Sequence, residues 1–177
     1  LTGRTIWAYL KERLPVEAIY RSGVGYTLLG PISGRAVFPV RQDGELWFWQ
    51  ARQVMFQGGA KYVSSPGAPK SQVLYGLDWL VGRRAILVEG IFDALNTPGA
   101  VALLGKTISQ EQIMLLYKRG ITEIEIRLDG SAYAAARSLA QQLRWLPVLE
   151  ALTIARLRPD EDPAMTRQVA EYIRVRL

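Results

Sequence analysis

The feature that most constrains the fold is a regular alternation of apolar and helical segments in the second half of the chain. Short apolar runs occur at residues 85–88, 100–104, 123–128 and 147–155. Helical patterns separate them at residues 91–96, 109–119 and 131–145, and a last helix is predicted over 163–174. Strands that alternate with helices of this length predict a mainly parallel α/β sheet with right-handed crossovers.

The first half of the chain has a different pattern. Two short helices are predicted over residues 5–13 and 16–21, followed by a β-hairpin of strands 35–41 and 45–52. Asp43-Gly44 between apolar runs is a strong hairpin turn signal. Residues 58–71 are rich in Gly, Pro and Ser and are predicted to form a loop. We therefore expect a small α+β lobe at residues 1–82 and an α/β domain with a C-terminal helix at residues 83–177.

Positive charge is concentrated in the first lobe. The net charge is +6, and residues 1–84 hold eleven Lys and Arg against five Asp and Glu, whereas residues 85–177 hold eleven of each class. This distribution indicates a polyanion-binding lobe joined to a neutral, locally acidic one. A net charge that serves solubility alone is the alternative.

The chain contains no cysteine and no histidine. Their absence excludes disulfides, Cys/His metal centres and nucleophile pairs that depend on imidazole. Any bound metal would have oxygen ligands, which favours magnesium, manganese or calcium. No apolar run is long enough for a membrane span, so we expect a soluble protein. Because the chain begins at Leu1, we also expect a fragment of a longer protein.

Carboxylates follow three of the four predicted strands. Glu89 ends the first strand and Asp93 lies one helical turn later; Asp129 ends the third strand, and Asp160-Glu161-Asp162 follows the fourth. In an open parallel sheet, ligands bind at the carboxyl ends of the strands. Several carboxylates at one such edge predict a site for a divalent cation that neutralises phosphate charge. Ordinary helix caps are the alternative for each residue taken alone.

The segment from Gly99 to Thr107 resembles a phosphate-binding P-loop and is rejected as one. Five residues separate Gly99 from Gly105, where the motif requires four, and they form an apolar strand instead of a Gly-rich loop.

An ordered series of motifs resembles the TOPRIM domain of bacterial and phage DNA primases. In the second half the matching segments are residues 85–94, 101–105, 109–112 and 128–130. In the first half, residues 9–26 resemble the entry helices of the same family. The segments that resemble its basic N-terminal lobe, in the same order, are 37–40, 50–52, 61–62, 65–66 and 74–77. The resemblance covers about residues 8 to 165.

This resemblance implies a TOPRIM domain, with a Rossmann-like, mainly parallel sheet and flanking helices, behind a basic α+β lobe. It implies a nucleotidyltransferase that copies a single-stranded DNA template into short RNA primers from ribonucleotides during DNA replication, with Mg²⁺ or Mn²⁺ as cofactor. A replicative helicase would be a partner through flanking domains, and the protein would work in the cytoplasm of a bacterial or phage-infected cell. No membrane association is expected.

The resemblance also assigns roles to single residues. Glu89 and Asp129 would be the catalytic, metal-binding carboxylates, and Asp93 and Asp162 would support them. The nucleic-acid or nucleotide contacts would come from basic and aromatic residues, which are Arg41, Arg52, Lys61, Tyr62 and Lys70.

Three positions depart from the family pattern. Ser131 stands where the family has the second aspartate of Asp-x-Asp, and Ala164 stands where it has the second aspartate of Asp-Pro-Asp. Tyr133-Ala134 replaces a small Ala-Gly pair. A site with two fewer carboxylates should bind metal more weakly or bind fewer ions. A weakened TOPRIM module that binds single-stranded nucleic acid, and a TOPRIM nuclease, therefore remain as alternatives.

Tryptophan and phenylalanine alternate along the second hairpin strand. Phe48 must point away from Trp47 and Trp49, because side chains alternate between the faces of a strand. An exposed tryptophan face beside Arg41 and Arg52 would be able to stack bases. Burial of both faces in the core of a small lobe is the alternative, and it is the one the composition favours.

Overall fold

The computed structural model describes residues 2–55, 59–163, 169 and 171–177. The chain divides into two compact units, Leu1–Pro69 and Lys70–Leu177. The boundary was predicted after residue 82, whereas residues 70–82 lie in the second unit. Their side chains explain the difference, because Leu74, Leu77 and Leu80 belong to the hydrophobic core of the second unit.

The first unit combines a helical pair with a small antiparallel sheet. Its described elements are α1 (Thr2–Arg13), α2 (Val16–Ser22), β1 (Gly25–Tyr26), β2 (Arg35–Gln42), β3 (Glu45–Gln53) and β4 (Tyr62–Ser64). The strands pair in the order β1-β2-β3-β4. The predicted helices and hairpin are confirmed. The predicted loop at 58–71 is wrong in part, because β4 lies within it and pairs with β3; Gly58 lies outside the described residues.

The hairpin turn follows from two residues that tolerate a left-handed backbone. Asp43 has φ of 55° and Gly44 has φ of 78°. Positive φ at both central residues is the requirement of a two-residue hairpin turn whose twist matches the strands. On β2, Ala36, Phe38 and Val40 are all fully buried, so this face of the strand forms the core of the unit.

The second unit is built on a mainly parallel sheet. Its described helices and strands are β5 (Arg84–Val88), α3 (Ile91–Asn96), β6 (Ala100–Ala102), α4 (Gln110–Lys118), β7 (Glu123–Ile126), α5 (Tyr133–Leu143), β8 (Ala151–Arg156) and β9 (Glu171–Arg174). The strand order is β6-β5-β7-β8-β9, with parallel pairing from β6 to β8. The predicted alternation of strands and helices is confirmed, although β6, β7 and β8 are shorter than predicted.

Two ends of elements depart from the predicted pattern. Gly130–Ala132 forms a 3-10 turn before α5 begins at Tyr133. Residues 171–174 were predicted as part of a helix and instead form β9, which pairs antiparallel with β8. Ile173 and Val175 alternate and pack against the core, which a strand permits and a helix does not. Residues 164–168 and 170 of that predicted helix lie outside the described residues.

The start of α4 is defined by a reciprocal cap. The Ser109 hydroxyl accepts a hydrogen bond from the Gln112 backbone N–H at 3.0 Å, and the Gln112 side chain accepts one from the Ser109 N–H at 3.1 Å. This capping box was predicted from the spacing of the two residues, and it satisfies two N–H groups that the helix leaves unpaired. None of the described helices is long and apolar enough to cross a membrane.

Candidate functional site

The carboxyl ends of β5, β7 and β8 lie side by side in the sheet. Leu87, Ile126 and Ile154 occupy matching positions on the three strands. The chain leaves β5 towards β6 on one side and later returns to β7 on the other, so β5 and β7 flank the point where the strand order reverses. Open α/β sheets bind ligands outside the strand ends at such a point. Glu89, Asp129 and the acidic turn after β8 all follow these strands directly.

Asp129 is held at the end of β7 by two features of its neighbours. The Arg127 N–H donates to the Leu87 carbonyl at 2.9 Å, which extends the ladder beyond the end of the strand. The Arg127 guanidinium also contacts Glu125 at 2.6 Å, and Arg84 contacts the same carboxylate at 2.9 Å. Glu125 is only 2% exposed, so the carboxylate shared by the two arginines is buried in the sheet that carries Asp129.

Gly130 is required by a close approach of two backbones. A Cβ atom at this position would lie 1.5 Å from the Arg158 carbonyl oxygen, and the Gly130 N–H donates to the Glu161 carbonyl at 2.9 Å. No side chain fits in that space. The Asp-Gly pair therefore has a structural reason: the glycine allows the turn after β7 to pack against the turn after β8.

The turn after β8 carries its own cap. The Glu161 carboxylate accepts a hydrogen bond from the Arg158 N–H at 2.7 Å, and the Glu161 N–H donates to the Arg158 carbonyl at 3.0 Å. This turn brings Asp162 close to Asp93 on α3. Of the three acidic residues in the segment, Glu161 is thus used by the turn itself.

Asp93 is the carboxyl group that this arrangement perturbs most. Its side chain is 8% exposed, and it accepts a hydrogen bond from the Gly90 N–H at 2.9 Å. The pKa of Asp93 is raised from 3.8 to about 8, mainly by burial and then by the charge of Asp162, a side-chain hydrogen bond with Asp162 and the charge of Asp129. The bond from Gly90 opposes that rise. The structure therefore brings together three carboxyl groups that were predicted to belong to one site.

Glu89 has a cation as its neighbour. The Lys106 ammonium lies 3.9 Å from Glu89 Oε2, and the Glu89 side chain is 27% exposed. Lys106 lies in the segment after β6, which is the strand adjacent to β5. It was considered in the sequence only as part of a rejected P-loop, and its contact with Glu89 could not be found from spacing, because the two residues meet only through strand pairing.

The donor atoms fit a hard divalent cation in kind. They are all carboxylate oxygens, and the pKa of Asp93 is raised by burial and by the charges of Asp162 and Asp129, a repulsion that a cation would relieve. Among the described residues, however, no group of three or more acidic side chains has a geometry that could hold a metal ion. The arrangement suits an ion that one or two carboxylates hold while it keeps waters or substrate oxygens, as Mg²⁺ does.

The positions that depart from the family pattern are only partly described. Ser131 is exposed, within the 3-10 turn that follows Asp129. Tyr133 begins α5, and its ring lies 5.1 Å from the Arg156 guanidinium on β8. Ala164 lies outside the described residues, so its predicted role as an altered ligand position stays a prediction.

The first unit contains an alternating series of arginine and tyrosine side chains. The Arg52 guanidinium lies 4.9 Å from the Tyr62 ring, and its Nε donates to the Tyr9 hydroxyl at 3.2 Å. Arg13 lies over the Tyr9 ring at 4.9 Å. Arg52 and Tyr62 are direct partners across β3 and β4, so strand pairing explains their contact. We call these four residues the Arg-Tyr cluster.

The other predicted nucleic-acid contacts are distributed differently. Arg41 lies on the opposite face of the sheet from Arg52, because Arg52 pairs with Ala36 on β2 and side chains alternate along that strand. Lys61 is exposed just before β4, whereas Lys70 belongs to the second unit.

The tryptophan face of β3 is partly open. Phe48 is buried, while Trp47 is 42% exposed and Trp49 is half-buried. Burial of both faces, which the composition favoured, is therefore wrong. Alternation places Trp49 on the face opposite Arg52, so Trp49 does not extend the Arg-Tyr cluster, whereas a register shift between Val40 and Arg41 interrupts the alternation at Trp47.

Tyr9 and Arg13, two members of the Arg-Tyr cluster, were not predicted from the sequence as site residues. Both lie on α1 one helical turn apart, and that i, i+4 spacing is a signal for adjacent side chains. The link from Tyr9 to Arg52 spans 43 positions and depends on how α1 packs in the unit, so no local pattern indicates it.

Comparison with known proteins gives a consistent result. No model of a known protein family matches the chain. The chain is similar to the DNA primase of Deinococcus radiodurans, with 31% identity over 121 residues. The match covers 60% of this chain and 21% of that protein. It therefore spans about a fifth of the length of the curated relative that it matches.

Two solved structures share its fold. The first is the Aquifex aeolicus primase with its zinc-binding and RNA polymerase domains, with a TM-score of 0.76, 23% identity, and coverage of 89% of this chain and 51% of that chain. The second is the RNA polymerase domain of the Mycobacterium tuberculosis primase, with a TM-score of 0.74, 21% identity, and coverage of 92% and 71%. This chain is thus similar in sequence to a bacterial DNA primase, and it shares the fold of primase RNA polymerase domains.

Proposed function

We propose that this chain is a primase catalytic core of the TOPRIM type, which joins ribonucleotides into short primers on a single-stranded DNA template. The observation that supports this most directly is the electrostatic contact of Asp93 with Asp129 and Asp162, at the carboxyl ends of adjacent parallel strands. Phosphoryl transfer depends mainly on positioning and on charge neutralisation, and the chain offers both an acidic edge and a basic cluster.

Each group of predicted residues has a defined task in this proposal. Glu89, Asp129, Asp93 and Asp162 would hold Mg²⁺ or Mn²⁺, which would neutralise phosphate charge and activate the attacking hydroxyl. Arg52, Lys61 and Lys70 would bind phosphates of the template or nucleotide, and Tyr62 would offer a face on which a base can stack. Arg41 would contact the template from the other face of its sheet. Replicative helicase contacts would lie in flanking domains.

Primer synthesis on a single-stranded template with Mg²⁺ or Mn²⁺ tests the proposal. We expect Glu89→Gln to lower the rate by roughly a hundredfold or more, since it removes charge at the reacting centre. Glu111→Gln is the matched control, because Glu111 is exposed in the first turn of α4 and should leave the rate unchanged. A correctly folded chain that makes no primer with either metal would refute catalytic function.

Restoring a carboxylate at the altered position gives a second test. Ser131 is exposed beside Asp129, so an aspartate there has room to face the same edge. Ser131→Asp should raise the rate by roughly tenfold or more, because one added ligand strengthens metal binding. Ser138→Asp, on the exposed surface of α5, adds the same charge elsewhere and should not raise the rate.

A module that binds single-stranded nucleic acid without catalysis is the second candidate. It is favoured by the lack of a three-carboxylate metal group among the described residues. It predicts salt-sensitive binding that survives Glu89→Gln, together with no synthesis by the unaltered chain. A metal-dependent nicking assay on plasmid DNA separates both candidates from a TOPRIM nuclease.

A further inference from the structure

The segment that carries Lys106 is anchored at both ends. At its start, the Leu103 N–H donates to the Val88 carbonyl at 2.9 Å, so the segment leaves the sheet beside the residue that precedes Glu89. The Gln112 side chain also donates to the Leu103 carbonyl at 3.1 Å, and at the other end of the segment, next to Ile108, the Ser109 hydroxyl donates to the Ser71 carbonyl. These bonds leave little freedom for the four residues between Leu103 and Ile108.

The backbone of this segment also holds a residue in an unfavourable conformation. Leu104 has φ of 60°, in the left-handed region that is unfavourable for a residue with a Cβ atom. Such a conformation persists only where the surrounding contacts impose it. Here the anchors on either side impose it, and the next two residues are Gly105 and Lys106. The fold thus fixes the backbone position from which the Lys106 side chain reaches Glu89.

The electrostatics of the contact oppose metal binding. The Lys106 ammonium at 3.9 Å neutralises part of the Glu89 charge. A divalent cation on Glu89 would meet this positive charge at short range, so it must displace the ammonium or bear the repulsion. The Lys106 side chain is 53% exposed, which gives it room to move aside at moderate cost.

From these contacts we infer that Lys106 is a built-in competitor of the divalent cation at Glu89, which keeps the acidic edge partly neutralised before metal binds. This inference rests on the proposed metal site. Removal of the Lys106 charge should therefore tighten the binding of a free divalent ion.

Mn²⁺ binding to the full chain tests the inference without using activity. The electron spin resonance signal of the free ion, recorded at low salt, measures this binding. Lys106→Met should lower the Mn²⁺ dissociation constant by about threefold to tenfold, as expected for one charge near a divalent ion at a half-exposed site. Lys118→Met is the matched control, because Lys118 is exposed at the last residue of α4, about 12 Å from the start of that helix. It should change the constant by less than twofold.

A double-mutant cycle with Glu89→Gln identifies the partner. Thermal unfolding of every variant verifies that it folds. If Lys106→Met tightens binding while Glu89 is present and has no such effect in the Glu89→Gln background, the inference is supported. Equal gains with and without Glu89 would overturn it.

The remaining outcomes separate this inference from the proposed function. If Lys106→Met leaves Mn²⁺ affinity unchanged while Glu89→Gln weakens it, the metal site stands and the role of Lys106 is refuted. If neither the original chain nor any variant binds Mn²⁺ at millimolar concentration, both the metal site and the competitor role are refuted.

Discussion

The acidic edge of the second unit and the Arg-Tyr cluster of the first are built on opposite principles. In the Arg-Tyr cluster every described contact is favourable, since a hydroxyl accepts from Arg52 and aromatic faces lie against both guanidinium groups. At the acidic edge, burial and the like charges of Asp162 and Asp129 raise the pKa of Asp93. The contacts of the Arg-Tyr cluster therefore stabilise it, whereas the acidic edge depends on the surrounding fold and would be stabilised by a bound cation.

Gly130→Ala should disrupt the acidic edge and lower the stability of the protein more than any other variant considered below. The added Cβ would overlap the Arg158 carbonyl, so the turns after β7 and β8 must separate. We expect a loss of about 2–4 kcal/mol in the free energy of unfolding, measured by urea denaturation. Gly105→Ala is the control, because a Cβ there meets no atom within 4 Å. Equal stability of both variants would refute the close approach.

Asp93→Asn should stabilise the protein and remove a pH dependence. Because the folded-state pKa of about 8 exceeds the ordinary 3.8, the folded chain holds a proton that the unfolded chain has released at intermediate pH. Stability from this group is therefore complete below about pH 4 and falls as pH rises towards 8. Asparagine keeps an acceptor for the Gly90 N–H but carries no charge.

At pH 8 we expect Asp93→Asn to raise the free energy of unfolding by about 1–3 kcal/mol, which corresponds to several degrees in Tm. At pH 4 the two proteins should differ little. A pH series of thermal melts in the absence of metal measures this, and a variant that is less stable than the original chain at pH 8 would contradict it.

Arg52→Gln and Arg41→Gln together test which face of the first sheet binds nucleic acid. The two arginines lie on opposite faces, and only Arg52 belongs to the Arg-Tyr cluster. Arg52→Gln should weaken binding of single-stranded DNA by about fivefold and reduce the slope of log affinity against log salt by about 0.7. Arg41→Gln should have a smaller effect; a larger one would place the interface on the tryptophan face.

Tyr9→Phe should have the smallest effect. It removes the hydroxyl that accepts from Arg52 Nε but keeps the ring under Arg13. One lost hydrogen bond to a partly buried cation is worth about 1 kcal/mol, so single-stranded DNA affinity should fall by about twofold to fivefold. Tyr20→Phe, on an exposed ring of α2, is the control. If both variants bind alike, Tyr9 does not position Arg52.

Much of this fold could be predicted locally because its signals are local. The turn Asp43-Gly44 and the cap Ser109 with Gln112 each follow from a preference of the backbone over a few residues. By contrast, Glu171–Arg174 was predicted as helix and forms a strand, because the exposed edge of β8 offers it backbone partners. Such a partner lies far away in the sequence, and a local pattern cannot reveal it.

The candidate site shows the same division. By itself, the sequence determined which residue types can act: an all-oxygen donor set without cysteine or histidine, carboxylates after three strands, and arginines beside tyrosines. Tertiary structure decided which of them meet. It placed Asp162 against Asp93 and Lys106 against Glu89, and it separated Arg41 from Arg52. The physical reason is that charge interactions depend on distance in space, and strand order and pairing set that distance.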